Sequence, residues 1–103
     1  MEKKKVIWTR KAEIQMYTIM DYYAERNKSD FYSLKLHHDI KQKLHKLNFT
    51  TALPKKSSIK GLFYFIHNHI SIFFLVHKEQ LVVVLVWDER RNPKDLDFLL
   101  HEL

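Results

Sequence analysis

The sequence predicts an α+β chain in which a helical hairpin covers a mainly antiparallel sheet. Three observations predict it. Two segments of the first half repeat apolar residues at three- and four-residue spacing, the period of a helix with one buried stripe. Three runs rich in β-branched and aromatic residues follow in the last forty-odd residues, separated by turns too short for anything but a meander. A further short run of that kind, Val6-Ile7-Trp8, opens the chain. At 103 residues this is one domain, long enough for a single core.

The elements follow in order. Thr9 is placed to cap the first helix, whose stripe is Ala12, Met16, Ile19, Met20 and Tyr23. Lys11, Glu13, Gln15, Thr18 and Glu25 are expected to face away from that stripe. Arg26-Asn27-Lys28 breaks the pattern, and Ser29 is expected to cap a second helix with the stripe Tyr32, Leu36, Ile40, Leu44 and Leu47. Neither helix is apolar all round, so each needs a surface, which the strands supply. Asn48 to Ser58, with Pro54 and the Ser57-Ser58 pair, reads as a loop without regular structure. Gly61 to Ile66 then reads as a strand, His67-Asn68 as a turn and His69 to Val76 as a second strand. Leu81 to Trp87 is apolar on both faces, which predicts a central strand covered from both sides. Asn92 can cap a final helical turn with Pro93 at its first position. Leu96, Leu99, Leu100 and Leu103 give that turn an apolar edge, to be covered by the domain or by a partner.

Charge is distributed unevenly. Residues 1–60 hold 14 Lys/Arg against 6 Asp/Glu, whereas residues 61–103 hold 4 against 6. A basic first half favours an anionic partner, either nucleic acid or an acidic protein, over a neutral one. With no cysteine, disulfides and thiolate metal sites are excluded. No signal peptide or membrane span is visible, so a cytoplasmic protein is expected.

No phosphate loop or HExxH motif is present, so chemistry must come from looser constellations. His67 and His69 lie two apart beside a turn and could share one side of the sheet. Histidines can supply the base and the acid for cleavage of RNA by its own 2′-hydroxyl. The plainer reading makes them turn residues. Lys55, Lys56 and Lys60 can position phosphates or simply solvate a loop. In Asp88-Glu89-Arg90-Arg91, Asp88 suits an internal ion pair and the arginines suit bidentate contact with phosphate. His37, His38 and His45 read as helix-surface residues, and Tyr17, Tyr22 and Tyr23 as packing residues. No metal or cofactor is expected.

Several motifs carry a resemblance. A strand ends in Trp8-Thr9, and a helix ends in Asp21-Tyr22-Tyr23-Ala24-Glu25-Arg26-Asn27. After them come Lys60-Gly61-Leu62 and Val86-Trp87-Asp88-Glu89-Arg90-Arg91-Asn92-Pro93. Over roughly residues 5 to 96 the chain resembles the RelE/ParE superfamily of toxins from bacterial type II toxin–antitoxin systems. The resemblance implies a β-α-α-β-β-β fold and a cognate antitoxin that wraps and neutralises the toxin. Its first implied activity is metal-independent cleavage of mRNA on the ribosome, with His67, His69 and Arg90 as catalytic residues. Lys55, Lys56, Lys60 and Arg91 would then bind the nucleic acid. The alternative is a ParE-like poison of DNA gyrase without catalytic activity. Phe63 and Leu75 stand where the family commonly has arginine, which motivates a third reading, a degenerate toxin that only binds its antitoxin. Phe63, Phe65, Leu99 and Leu100 are the candidate antitoxin contacts. A homodimer and a toxin–antitoxin heterotetramer both fit the sequence.

Overall fold

The computed structural model of the chain describes residues 5–47 and 55–103. Its elements are β1 (Lys5–Trp8), α1 (Arg10–Asn27), α2 (Phe31–His45), β2 (Lys55–Lys56), β3 (Leu62–His67), β4 (Ile70–His77), β5 (Gln80–Asp88) and α3 (Pro93–His101). The described strands form one sheet in the order β1-β5-β4-β3-β2. β1 runs parallel to β5, and every other pair is antiparallel. The α+β class and the central strand are as the sequence predicts. β5 lies between β1 and β4, with core residues on both of its faces.

The helical hairpin closes as its caps dictate. The Thr9 hydroxyl accepts from the Ala12 amide at 3.1 Å. Lys28 adopts φ 55, and Ser29 N donates to the Ala24 carbonyl at 3.1 Å, a left-handed stop for α1. The cap of α2 differs from the expectation: Asp30 holds the cap position, while the Ser29 hydroxyl accepts from Phe31 N at 3.2 Å. Met16, Leu36 and Ile40 are fully buried against the sheet together with Ile70, Ile72 and Phe74. On the opposite face α3 covers a second cluster of Leu62, Phe73, Leu85 and Trp87 through Leu96, Leu99 and Leu100. Leu96, Leu99 and Leu100 of the C-terminal apolar edge therefore pack on their own chain, while Leu103 stays exposed.

Register explains two departures from the sequence reading. The turn between β3 and β4 is Asn68-His69, with φ 48 and 71, one residue later than expected. Two residues at positive φ match the twist of a tight hairpin. Lys55-Lys56 pairs with Tyr64 and Phe63 as a short edge strand, where the sequence suggested a loop through Ser58. Asn48 to Pro54, the rest of that loop, lie outside the described residues.

A bulge then sets what β5 presents. Phe73 pairs with Leu85 but Phe74 with Val83, so Val84 is an extra residue on β5. Before it, Leu81 and Val83 face the helices; after it, Val86 and Asp88 do, and Leu85 and Trp87 face α3. β1 ends at Trp8, opposite Val83, so the later amides on that edge of β5 have no strand beside them. Gln15 fills this gap by accepting from Val86 N at 2.9 Å. It therefore faces inward, contrary to the expectation, because an unpaired buried amide is costly.

Candidate functional site

Three segments meet where β3 and β5 end: the last turns of α1, the Asn68-His69 turn, and the loop after Asp88. Glu89 N donates to the His69 carbonyl at 2.7 Å, tying the loop to the turn. Asp88 organises the loop. Its Oδ1 accepts from Arg90 N at 3.0 Å and from Arg90 Nε at 3.2 Å. Its Oδ2 accepts from Arg90 Nη2 at 3.0 Å and from the Tyr23 hydroxyl at 3.3 Å. The Arg90 guanidinium lies 5.0 Å from the Tyr23 ring centre, and that of Arg91 lies 4.5 Å from the Trp87 ring. Behind the loop the buried Ser71 hydroxyl bonds the Glu89 carboxylate. Asp88 is thus the internal ion-pair residue its sequence context suggested, and Arg90 is its partner.

The two histidines separate. His67 is the last residue of β3 and its side chain turns toward α2, while His69 is exposed in the turn. Nε2 of His67 is buried without a hydrogen-bond partner, 3.8 Å from Asp39 Oδ2. Burial, reinforced by the Lys43 charge, holds the His67 pKa below its ordinary value of 6.5 despite the opposing pull of Asp39. The contact with Asp39 is consequently a neutral imidazole beside a carboxylate. It is no ion pair at neutral pH, because desolvation outweighs the attraction. Asp39 is held low chiefly by its 2.9 Å bond from Lys35, a nearer partner.

The lysines lie elsewhere. β3 begins at Leu62, just after Lys60, and ends at His67, so a strand of about 17 Å separates the two at ~3.4 Å per residue. Lys55 and Lys56 are exposed on the edge strand. Among the proposed partner contacts, Phe63 stacks on Phe74 at 6.1 Å and Phe65 packs against the helix-side core. Leu99 and Leu100 pack beneath α3. Phe63 faces the helices whereas Leu75 is exposed on the opposite face, so the two positions where arginine is common do not share a surface.

Tyr17 and Tyr22 pack edge-on against His37 and Tyr23 as expected, but each leaves about half of its surface exposed. His37 is not a free surface residue: its ring makes edge contacts with Trp8 and Tyr17, and burial lowers its pKa. Arg26, expected with Asn27 and Lys28 to break the helical pattern, lies within the last turn of α1, and its Nη1 donates to the Tyr22 hydroxyl at 3.4 Å. The four-residue spacing of Tyr22 and Arg26 was the available signal. Together they shape a cleft of about 600 Å³, with Thr18, Ile19, Tyr22 and Arg26 on one wall and Asp88, Arg90 and Arg91 on the other. Among the described residues no group of His, Asp or Glu is arranged to hold a metal ion. No described helix is long and apolar enough to cross a membrane.

No protein-family model matches the chain, and no curated protein does. Among solved structures it is similar to a chain of the "Chromosomal ParDE TA system from P. aeruginosa". The match has a TM-score of 0.66 at 18% identity and covers 82% of this chain and 94% of the other. The chain has the RelE/ParE-like fold. The sheet carries the helical hairpin on one face, as the resemblance implied, and the strand β2 and the helix α3 come in addition to the β-α-α-β-β-β order it implied.

Proposed function

We propose that this chain is the toxin of a type II toxin–antitoxin module, a single toxin domain acting in the cytoplasm and held inactive by a cognate antitoxin. The RelE/ParE-like fold and the similarity to a chain of a ParDE TA system support the toxin reading. Its mode of action is binding, with DNA gyrase as the target, rather than cleavage of mRNA. One observation carries that choice: of the two histidines only His69 lies exposed beside the arginine loop, so a paired acid and base for RNA cleavage is not assembled there. The Nε2 of His67 is shut off from solvent, Arg90 is held by Asp88, and Lys60 sits at the other end of β3. A general acid or base must lie within hydrogen-bond reach of its proton, and phosphate ligands must surround the same reacting atoms.

The test is induced expression of the chain alone in a bacterial host with pulse labelling of DNA and protein synthesis. Arrest of DNA synthesis with a damage response is expected, unchanged by His67→Ala and His69→Ala. Rapid loss of protein synthesis with DNA synthesis intact, abolished by His69→Ala or Arg90→Ala, would return the assignment to an mRNA endoribonuclease. Normal growth with soluble protein present would leave the degenerate, antitoxin-binding reading.

A further inference from the structure

The cleft between α1 and the loop after β5 combines two features that the loop geometry alone does not require. Its cations are pre-positioned but not neutralised. Arg90 has Asp88, yet neither Arg26 nor Arg91 has a carboxylate within ion-pair distance among the described residues. Arg26 lies against the Tyr22 hydroxyl at 3.4 Å and Arg91 over the face of Trp87, contacts that favour one orientation of each guanidinium. Beside Arg26 on the α1 wall lie apolar groups, Ile19 and the ring of Tyr22, which is 54% exposed.

A cationic rim beside apolar groups complements a carboxylate with an apolar neighbour. We propose that the cleft binds an acidic peptide segment, with an Asp or Glu side chain paired to Arg26 and Arg91. An adjacent aliphatic or aromatic side chain lies against Ile19 and Tyr22. Nucleic acid fits this end poorly. Residues 61–103 carry more acidic than basic groups, Glu89 stands in the same loop, and the lysines that would track a backbone lie on or beside the β2 edge of the sheet, across β3 and β4 from β5. The inference rests on this end being a binding surface, and it holds whichever cellular target the chain attacks. Growth arrest reports the target, whereas peptide binding to the purified chain reports the cleft.

The experiment is selection of random peptides displayed on phage against the full chain, with counter-selection on Arg26→Gln/Arg91→Gln. The expected result is a consensus of Asp or Glu beside Leu, Ile or an aromatic residue. Binding should weaken at least about tenfold in the double variant, as the loss of charge-assisted hydrogen bonds requires. The synthetic consensus peptide should shift the backbone amide resonances of Tyr22, Arg26 and Arg91 in the parent chain. That map decides the matter even if the double variant folds poorly. The proposal is overturned by a consensus lacking carboxylates, by no enrichment over the variant, or by amide shifts confined to another surface. Displacement of the peptide from these amides by a short RNA or DNA strand at lower concentration would also overturn it.

Discussion

Two regions of the molecule carry positive charge, but they hold it differently. Along the β2 edge of the sheet Lys55, Lys56 and Lys60 are exposed on an edge strand and a turn. Around the end of β5, Arg90 lies over Tyr23, Arg91 over Trp87, and Arg26 against the Tyr22 hydroxyl. A lysine on a flexible stem gives a diffuse field, whereas a guanidinium held on a ring gives a fixed set of donors. Charge alone marked the lysine-rich half as the functional one, and the geometry moves the interest to the arginines.

That contrast can be broken most severely by Trp87→Ala. It removes a fully buried ring that supports both α3 and Arg91, and should cost about 3–5 kcal/mol. Denaturant midpoints would show it, and Lys60→Ala should move the same midpoint by less than about 0.5 kcal/mol. Next comes Asp88→Ala, which strips Arg90 and the Tyr23 hydroxyl of their acceptor. We expect a loss of about 1–3 kcal/mol, together with increased mobility of Arg90 visible in its side-chain resonances. Gln15→Leu keeps the bulk but leaves Val86 N unpaired, and should cost about 1–2 kcal/mol. Faster hydrogen exchange at Val86 is its specific signature.

The smallest effect concerns His67 and is one of pH. Its folded pKa lies below 6.5, so the unfolded chain takes up the proton first on acidification. Stability from the neutral ring is present above 6.5 and is lost as pH falls from there toward the folded value. An NMR titration of the His67 ring should give a midpoint under 6.5. His67→Phe should flatten the dependence of the unfolding midpoint on acidic pH.

Much of the architecture was legible. The apolar stripes of α1 and α2 survive almost residue for residue, because a 3.6-residue period written over four or more turns has one way to bury itself. Thr9 and Asn92 cap as expected, since a cap needs only a side-chain oxygen within reach of nearby amides. Lys55-Lys56 was misread because an edge strand of two exposed lysines has no apolar alternation to betray it.

What the sequence determined by itself is the set of elements apart from β2, the buried stripes of α1 and α2, and the central position of β5. Those follow from local periodicity and composition, which act within a few residues. What only the tertiary structure decided is which polar groups meet. The bulge at Val84 shifts the alternation of β5 by one, directing Asp88 toward Tyr23 and Trp87 toward α3. A one-residue shift in the Asn68-His69 turn separates His67 from His69. Arg26 approaches Arg91 only because α1 lies across the end of β5, 65 residues further along the chain for Tyr23 and Asp88. Such pairings depend on register and packing between distant segments, and no local pattern encodes them.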